Sequence, residues 1–146
     1  MRSFEASTRI DASPEQVWAP LVDVGGWRDW DSGVDRVEGR VALGERLTLY
    51  ATMIRSRPLV VTVTELRPGE VMRWRGGLPF GLAVIERTYH LDGQEGGGTV
   101  LTVREDHSGP LAGLLARTTP DLHPSFRQFC AGLKARAEGR VSRPPG

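Results

Sequence analysis

Apolar and polar residues change period along this chain. Over most of the first hundred residues they alternate, the mark of strands with one covered face. Phe4, Ala6 and Thr8 alternate with Glu5, Ser7 and Arg9. Val34–Glu38 reads as a short strand. Leu47, Leu49, Ala51 and Met53 then share a face, as do Leu59, Val61 and Val63, and after them Met72, Trp74 and Gly76. Ala83, Ile85, Arg87, Tyr89 and Leu91 form the next such row, and Leu101, Val103, Glu105 and His107 the last. Turn-forming stretches separate these runs: Arg55–Pro58, Arg67-Pro-Gly-Glu70 and the glycine-rich Asp92–Gly98. Successive runs joined by short turns predict an antiparallel sheet. Gly76–Gly81 interrupts it as a rim loop.

Helical spacing occurs in two places. Ser13-Pro14-Glu-Gln16 offers an N-cap, a proline suited to the first helical position and a capping-box partner. Val17, Trp18, Leu21 and Val22 follow as the covered face, with Pro20 to shorten or bend the helix and Gly25-Gly26 to end it. Trp27-Arg-Asp-Trp30 predicts one further helical turn with both indoles on one side. The two indoles either plug one end of the sheet, the plainer reading, or wall a cavity. From Gly109 to about Glu138 apolar residues recur at i, i+3 and i+4: Leu111, Leu114 and Leu115, then Leu122, Phe126, Phe129, Cys130, Leu133 and Ala137. Thr119, Pro120, Asp121 and Pro124 lie between, so a break is expected near Thr118–Pro124, with Asp121 as N-cap of the second piece. The pattern predicts an α+β fold, a curved antiparallel sheet of about seven strands with two short helices after the first strand and one long helix in its concavity.

Composition narrows the picture. The chain has 146 residues, 39% hydrophobic and 25% charged, with formal net charge +1. That suits a single globular domain over residues 1–138, with a flexible tail over 139–146. Near-zero charge gives no case for nucleic acid. No apolar run reaches the length of a membrane span. The first residues hold no apolar signal core, and the one cysteine, Cys130, rules out an internal disulfide, so a cytoplasmic location is expected. Cys130 lies on the apolar helix stripe and reads as core filler rather than a nucleophile. His90, His107 and His123 show no metal-ligand spacing, so neither a metal site nor a cofactor is expected.

Ala12-Ser-Pro-Glu-Gln-Val-Trp18 resembles the first-helix start of the START/Bet v 1-like (SRPBCC) superfamily, and of its polyketide cyclase/dehydrase-like branch in particular. Trp27-x-x-Trp30-Asp31 resembles that branch's second helix. Gly97-Gly-Thr99 with Val103-x-Glu105-Asp-His-Ser-Gly109 resembles its last hairpin. The resemblance covers about Phe4 to Glu138. It implies a helix-grip fold with a deep, largely apolar cavity between the sheet and the long helix. It does not imply one activity, because the superfamily holds carriers, receptors, aromatases and cyclases.

Strand parity then nominates residues for such a cavity. If Leu47, Val63, Trp74 and Leu101 face the long helix, so do Arg87, Tyr89, Glu105 and His107. Arg87 and Glu105 fall on adjacent strands, and pairing them closes a loop of reasonable length at Asp92–Thr99. The pair is either a buried ion pair that holds two strands in register or an anchor for a ligand carbonyl or carboxylate. The ligand-contact candidates are Trp27, Trp30, Leu49, Trp74, Arg87, Tyr89, Val103, Glu105, Phe126 and Phe129. Arg87, Glu105 and His107 are the catalytic candidates: Arg87 to stabilise an enolate, Glu105 or His107 to move a proton. The expected function is binding of a small hydrophobic ligand, such as a lipid or an aromatic polyketide, by a monomer or homodimer. The alternatives are a cyclase-, aromatase- or dehydratase-type enzyme using the same cavity, and a structural role with the cavity filled by side chains.

Overall fold

The computed structural model describes residues 2–51, 58–117 and 119–139. β1 (Arg2–Ile10) is followed by α1 (Pro14–Val22), a 3₁₀ helix over Val24–Asp29 and β2 (Val34–Glu38). β3 (Arg46–Ala51), β4 (Leu59–Arg67), β5 (Val71–Leu78), β6 (Ala83–Gly93) and β7 (Thr99–Ser108) complete the sheet. α2 (Ala112–Ala116) and α3 (His123–Ala137) end the chain. The seven strands form one antiparallel sheet in the order β1-β7-β6-β5-β4-β3-β2. The chain meanders from β2 to β7, and β1 then closes against β7. This is the curled half-barrel of the helix-grip fold, with α3 on its concave side. Met53 and the Arg55–Pro58 turn, apart from Pro58, lie outside the described residues, as does most of the 139–146 tail.

Local chemistry explains most boundaries. Ser13 caps α1: its Oγ accepts from the Gln16 N–H at 3.2 Å, and the Gln16 side chain accepts from the Ser13 N–H at 2.9 Å. Val17 and Leu21 are fully buried beneath it. Gly25 and Gly26 do not end a helix. They lie inside the 3₁₀ helix, which begins one residue after α1's cap at Asp23 and stops before Trp30. The long C-terminal stretch breaks where its prolines require, between Ala116 and His123. Its second piece, however, is not capped by Asp121. Leu122 occupies the N-cap position, and Asp121, one residue earlier, accepts from the His123 N–H at 3.0 Å and from its Nδ1 at 2.7 Å. A carboxylate that grips its neighbour two residues on makes a local turn, which sets the cap one position later.

Register fixes which side chains face α3. Val63, Trp74, Arg87, Glu105 and Phe4 stand opposite one another across five consecutive strands. A bulge between Val63 and Glu65 shifts β4, but β6 and β7 pair without interruption from Val84–Ser108 to Gly93–Thr99. The parity of Arg87, Tyr89, Glu105 and His107 therefore survives, and all four point into the concavity. The core holds an aromatic cluster. Phe129 of α3 packs its ring 4.8 Å from Trp27, 5.2 Å from Trp30 and 5.3 Å from Tyr89. Trp74 lies 5.1 Å from Tyr89 and 5.9 Å from Trp27. Trp27 secures its indole N–H on the Leu21 carbonyl at 3.0 Å.

Candidate functional site

A cavity of about 630 Å³ lies between the concave face of the sheet and α3. Its volume falls within the range of small-molecule sites. The strands contribute Leu49, Leu59, Ile85 and Val103, and α3 with its cap contributes Leu122, Phe126 and Phe129. Ser32–Val34, Pro58 and Leu78 stand at the ends of strands and border the same space. Gly77, beside Leu78, holds φ at +127°, and a Cβ there would strike the Ala83 carbonyl, so only glycine fits where β5 turns toward β6.

Four ionisable side chains interrupt this apolar lining: Arg87, Tyr89, Glu105 and His107. They form one contact chain. Arg87 donates from Nε and from Nη2 to a single Glu105 oxygen, Oε1, at 2.8 Å each. The other oxygen, Oε2, lies 2.7 Å from His107 Nε2. Arg87 Nη1 donates to the Tyr89 hydroxyl at 3.4 Å. The guanidinium also sits 5.1 Å above the Phe126 ring, a cation–π contact with α3. Exposure is graded along the chain: the Arg87 side chain is 14% exposed, Glu105 3% and His107 2%. Of these ionisable groups Arg87 is thus the one most open to the cavity, and Glu105 and His107 stand behind it.

Electrostatics follow the same order. Burial opposes charge on Glu105, but Arg87 and then His107 outweigh it, so the carboxyl is held below its ordinary range and is ionised. Burial likewise works against the Arg87 cation, and Glu105 and Tyr89 more than restore it, so Arg87 stays charged. Burial pushes the Tyr89 phenol up to about 12, so it is neutral at physiological pH. His107 Nδ1 finds no hydrogen-bond partner among the described residues, and the Phe4 ring covers the imidazole edge-on at 5.6 Å.

The structure sorts the sequence candidates. Leu49, Arg87, Tyr89, Val103, Glu105, His107, Phe126 and Phe129 come together at the cavity. Trp27, Trp30 and Trp74 do not: they form the buried layer behind Tyr89 and Phe129, with Trp27 and Trp74 fully inaccessible. Helical spacing put both indoles of Trp27-x-x-Trp30 inward, but inward on this fold means core. Ile85, Leu122 and Ser125 also border the cavity, though not chosen from sequence. Ile85 shares the parity of Arg87, and Leu122 shares the helical stripe of Phe126, so both carried a signal. Ser32 carried none. Among the described residues no three His, Cys, Asp or Glu side chains gather as a metal site, and no helix is long and apolar enough to cross a membrane.

Known proteins of this shape agree with the geometry. A protein from Mesorhizobium loti superposes with a TM-score of 0.73 at 18% identity, over 96% of this chain and 99% of that one. The ZhuI aromatase/cyclase from Streptomyces sp. R1128 superposes with a TM-score of 0.68 at 18% identity, over 99% of this chain and 98% of its own. The Aha1 dimer from Colwellia psychrerythraea gives 0.72 at 18% identity, over 97% and 100%. At such identities the likeness is one of fold. No curated protein sequence matches the chain. The family profile described as polyketide cyclase/dehydrase and lipid transport matches residues 1–138, and on that match the chain belongs to this SRPBCC-type family.

Proposed function

We propose that this protein binds a small, largely apolar molecule in the cavity beneath α3, with Arg87 as its polar anchor. One observation carries the reading: among the described residues, an aliphatic and aromatic space of about 630 Å³ meets one cluster of ionisable side chains, of which Arg87 is the most exposed. A space kept only for packing would be filled, since interiors leave few voids larger than a water molecule. Ligand pockets combine just such apolar walls with a few placed polar groups. The test is native mass spectrometry of the purified protein, then denaturing extraction of whatever it retains. A co-purified small apolar molecule supports the reading. An empty protein that no fatty acid, sterol or aromatic polyketide stabilises in a thermal-shift screen overturns it.

A second reading, a cyclase-, aromatase- or dehydratase-type reaction in the same cavity, is favoured by one feature. His107 shares the contact chain with Arg87 and keeps its Nδ1 unpartnered among the described residues. Glu105 itself is a poor proton acceptor, because both its oxygens are engaged. Incubation of an identified ligand with the protein tests this. A product whose formation His107→Asn abolishes while binding persists supports an enzyme.

A further inference from the structure

We propose that the polar pole of the cavity takes a neutral hydrogen-bond acceptor, a ketone, aldehyde, ester or lactone carbonyl on an apolar skeleton, in preference to a carboxylate. This preference presupposes that the cavity is a ligand site. Two features of the contact chain lead to it.

The first is charge balance. An exposed arginine at the head of an apolar cavity would select an anion. Arg87 is different, because its charge is already matched by Glu105 at 2.8 Å. Among the described lining residues only Arg87, Tyr89, Glu105 and His107 ionise. Tyr89 is neutral, and the imidazole is bound to Glu105 through Nε2. A ligand carboxylate that reached Arg87 would face the Glu105 carboxylate a few ångströms away in a poorly screened setting, and would lose its own hydration on entry. Nor is Glu105 free to swing aside, for Arg87 holds one oxygen and His107 the other.

The second is the direction of the hydrogen bonds still available. A guanidinium has five N–H donors. Glu105 takes those of Nε and one of Nη2, and the Tyr89 hydroxyl takes one of Nη1, leaving one N–H on each terminal nitrogen without a partner among the described residues. The Tyr89 oxygen accepts from Arg87, so its own O–H proton remains to donate. Both Glu105 oxygens are occupied. The pole is therefore rich in donors, and the cationic charge of Arg87 within it is already paired with a carboxylate. A carbonyl oxygen, with two lone pairs and no charge, satisfies both conditions. A carboxylate meets only the first, and an ammonium group meets neither.

Matched probes test this at pH 8. 2-Acetonaphthone is compared with 2-naphthoate, and 2-decanone with decanoate, by ¹H–¹⁵N chemical-shift titration of the full chain, with 2-ethylnaphthalene as the apolar control. The ketone of each pair should bind at least tenfold more tightly than its carboxylate. In Glu105→Gln, which leaves Arg87 uncompensated, the order should reverse. Equal or tighter binding of the carboxylates by the wild type overturns the preference while leaving the ligand site standing. A ketone preference that Glu105→Gln does not change overturns charge compensation as its cause. Failure of every probe to bind, the hydrocarbon included, overturns the ligand site and the preference with it. The wild-type comparison decides alone should the variant not fold.

Discussion

Arg87 grips Glu105 through one carboxylate oxygen: Nε and Nη2 both reach Oε1 at 2.8 Å, across the β6–β7 ladder on which the two residues are directly paired. The geometry leaves Oε2 for His107 and leaves Arg87 with donors to spare. The pair does two things at once. It ties together the two strands that carry most of the cavity's polar groups, and it presents a cation whose charge is locally cancelled.

Removing one partner should expose this double role. Arg87→Met strands an ionised carboxylate in a buried site, at a cost of about 3 kcal/mol, the low end for a broken buried pair because His107 stays bonded. Adding Glu105→Gln removes the stranded charge and keeps an acceptor for His107. The double variant should therefore be more stable than Arg87→Met alone. Urea unfolding of the four proteins in this cycle checks it, and a double variant that is less stable than Arg87→Met would contradict the structure.

The pair also predicts how stability depends on pH. The folded carboxyl of Glu105 titrates below its ordinary value of 4.5, because Arg87 and His107 outweigh burial. At acid pH the unfolded chain then binds the proton first, so stability rises with pH across this window. Its contribution is complete above the unfolded value and is lost as pH falls from about 4.5 through the folded value. Glu105→Gln should flatten the acid limb of a stability–pH curve as pH falls below about 4.5. Asp106 and Asp121 are also lowered but are far more exposed, so the difference between wild type and variant isolates Glu105.

Period and parity made the sheet and the polar pole legible before any coordinates. Strict alternation over Ala83–Leu91 and Leu101–His107 placed Arg87, Tyr89, Glu105 and His107 on one face, and the unbroken β6–β7 ladder preserved that placement. The same reasoning did not separate cavity wall from core. Trp74 has the parity of Arg87 and stands opposite it on β5, yet it lies behind Tyr89, with Trp27 of the Val24–Asp29 helix packed against it at 5.9 Å. Which inward residue meets space and which meets another side chain depends on how far α3 sits above each strand, and a sequence pattern carries no such distance. Asp121 failed as a cap for a different reason: a carboxylate can serve a helix end or a local turn, and the sequence suits both.

Cys130 should be close to inert. It is buried at 3% exposure, and burial pushes its thiol up to about 11, so little thiolate exists at pH 8. Its reaction with an aromatic disulfide reagent at pH 8 should be at least tenfold slower than that of a free thiol, and should reach full speed in denaturant. Fast labelling of the native protein would show that α3 lifts from the sheet readily.

Gly132 sets how closely α3 approaches the segment that follows the Val24–Asp29 helix. A Cβ at Gly132 would overlap the Asp31 carbonyl oxygen, and would also stand 2.8 Å from Asp31 C and 2.9 Å from Trp30 Cε3. Most of these atoms are backbone, so the clash cannot be relieved by a rotamer change. Gln128, one turn earlier on α3, adds a 2.6 Å hydrogen bond to the Asp31 carboxylate, which anchors the same contact. Gly132→Ala should destabilise the fold by about 2 kcal/mol, within the range for an overpacked interior, despite alanine's better helix propensity. Gly113, the second residue of α2 with no atom within 4 Å of its would-be Cβ, is the control. Gly113→Ala should leave stability unchanged or raise it by up to about 1 kcal/mol. Because α3 forms one wall of the cavity, any ligand found there should also bind more weakly to Gly132→Ala than to Gly113→Ala. Equal stability of the two variants would mean that α3 is not seated on Asp31 as described.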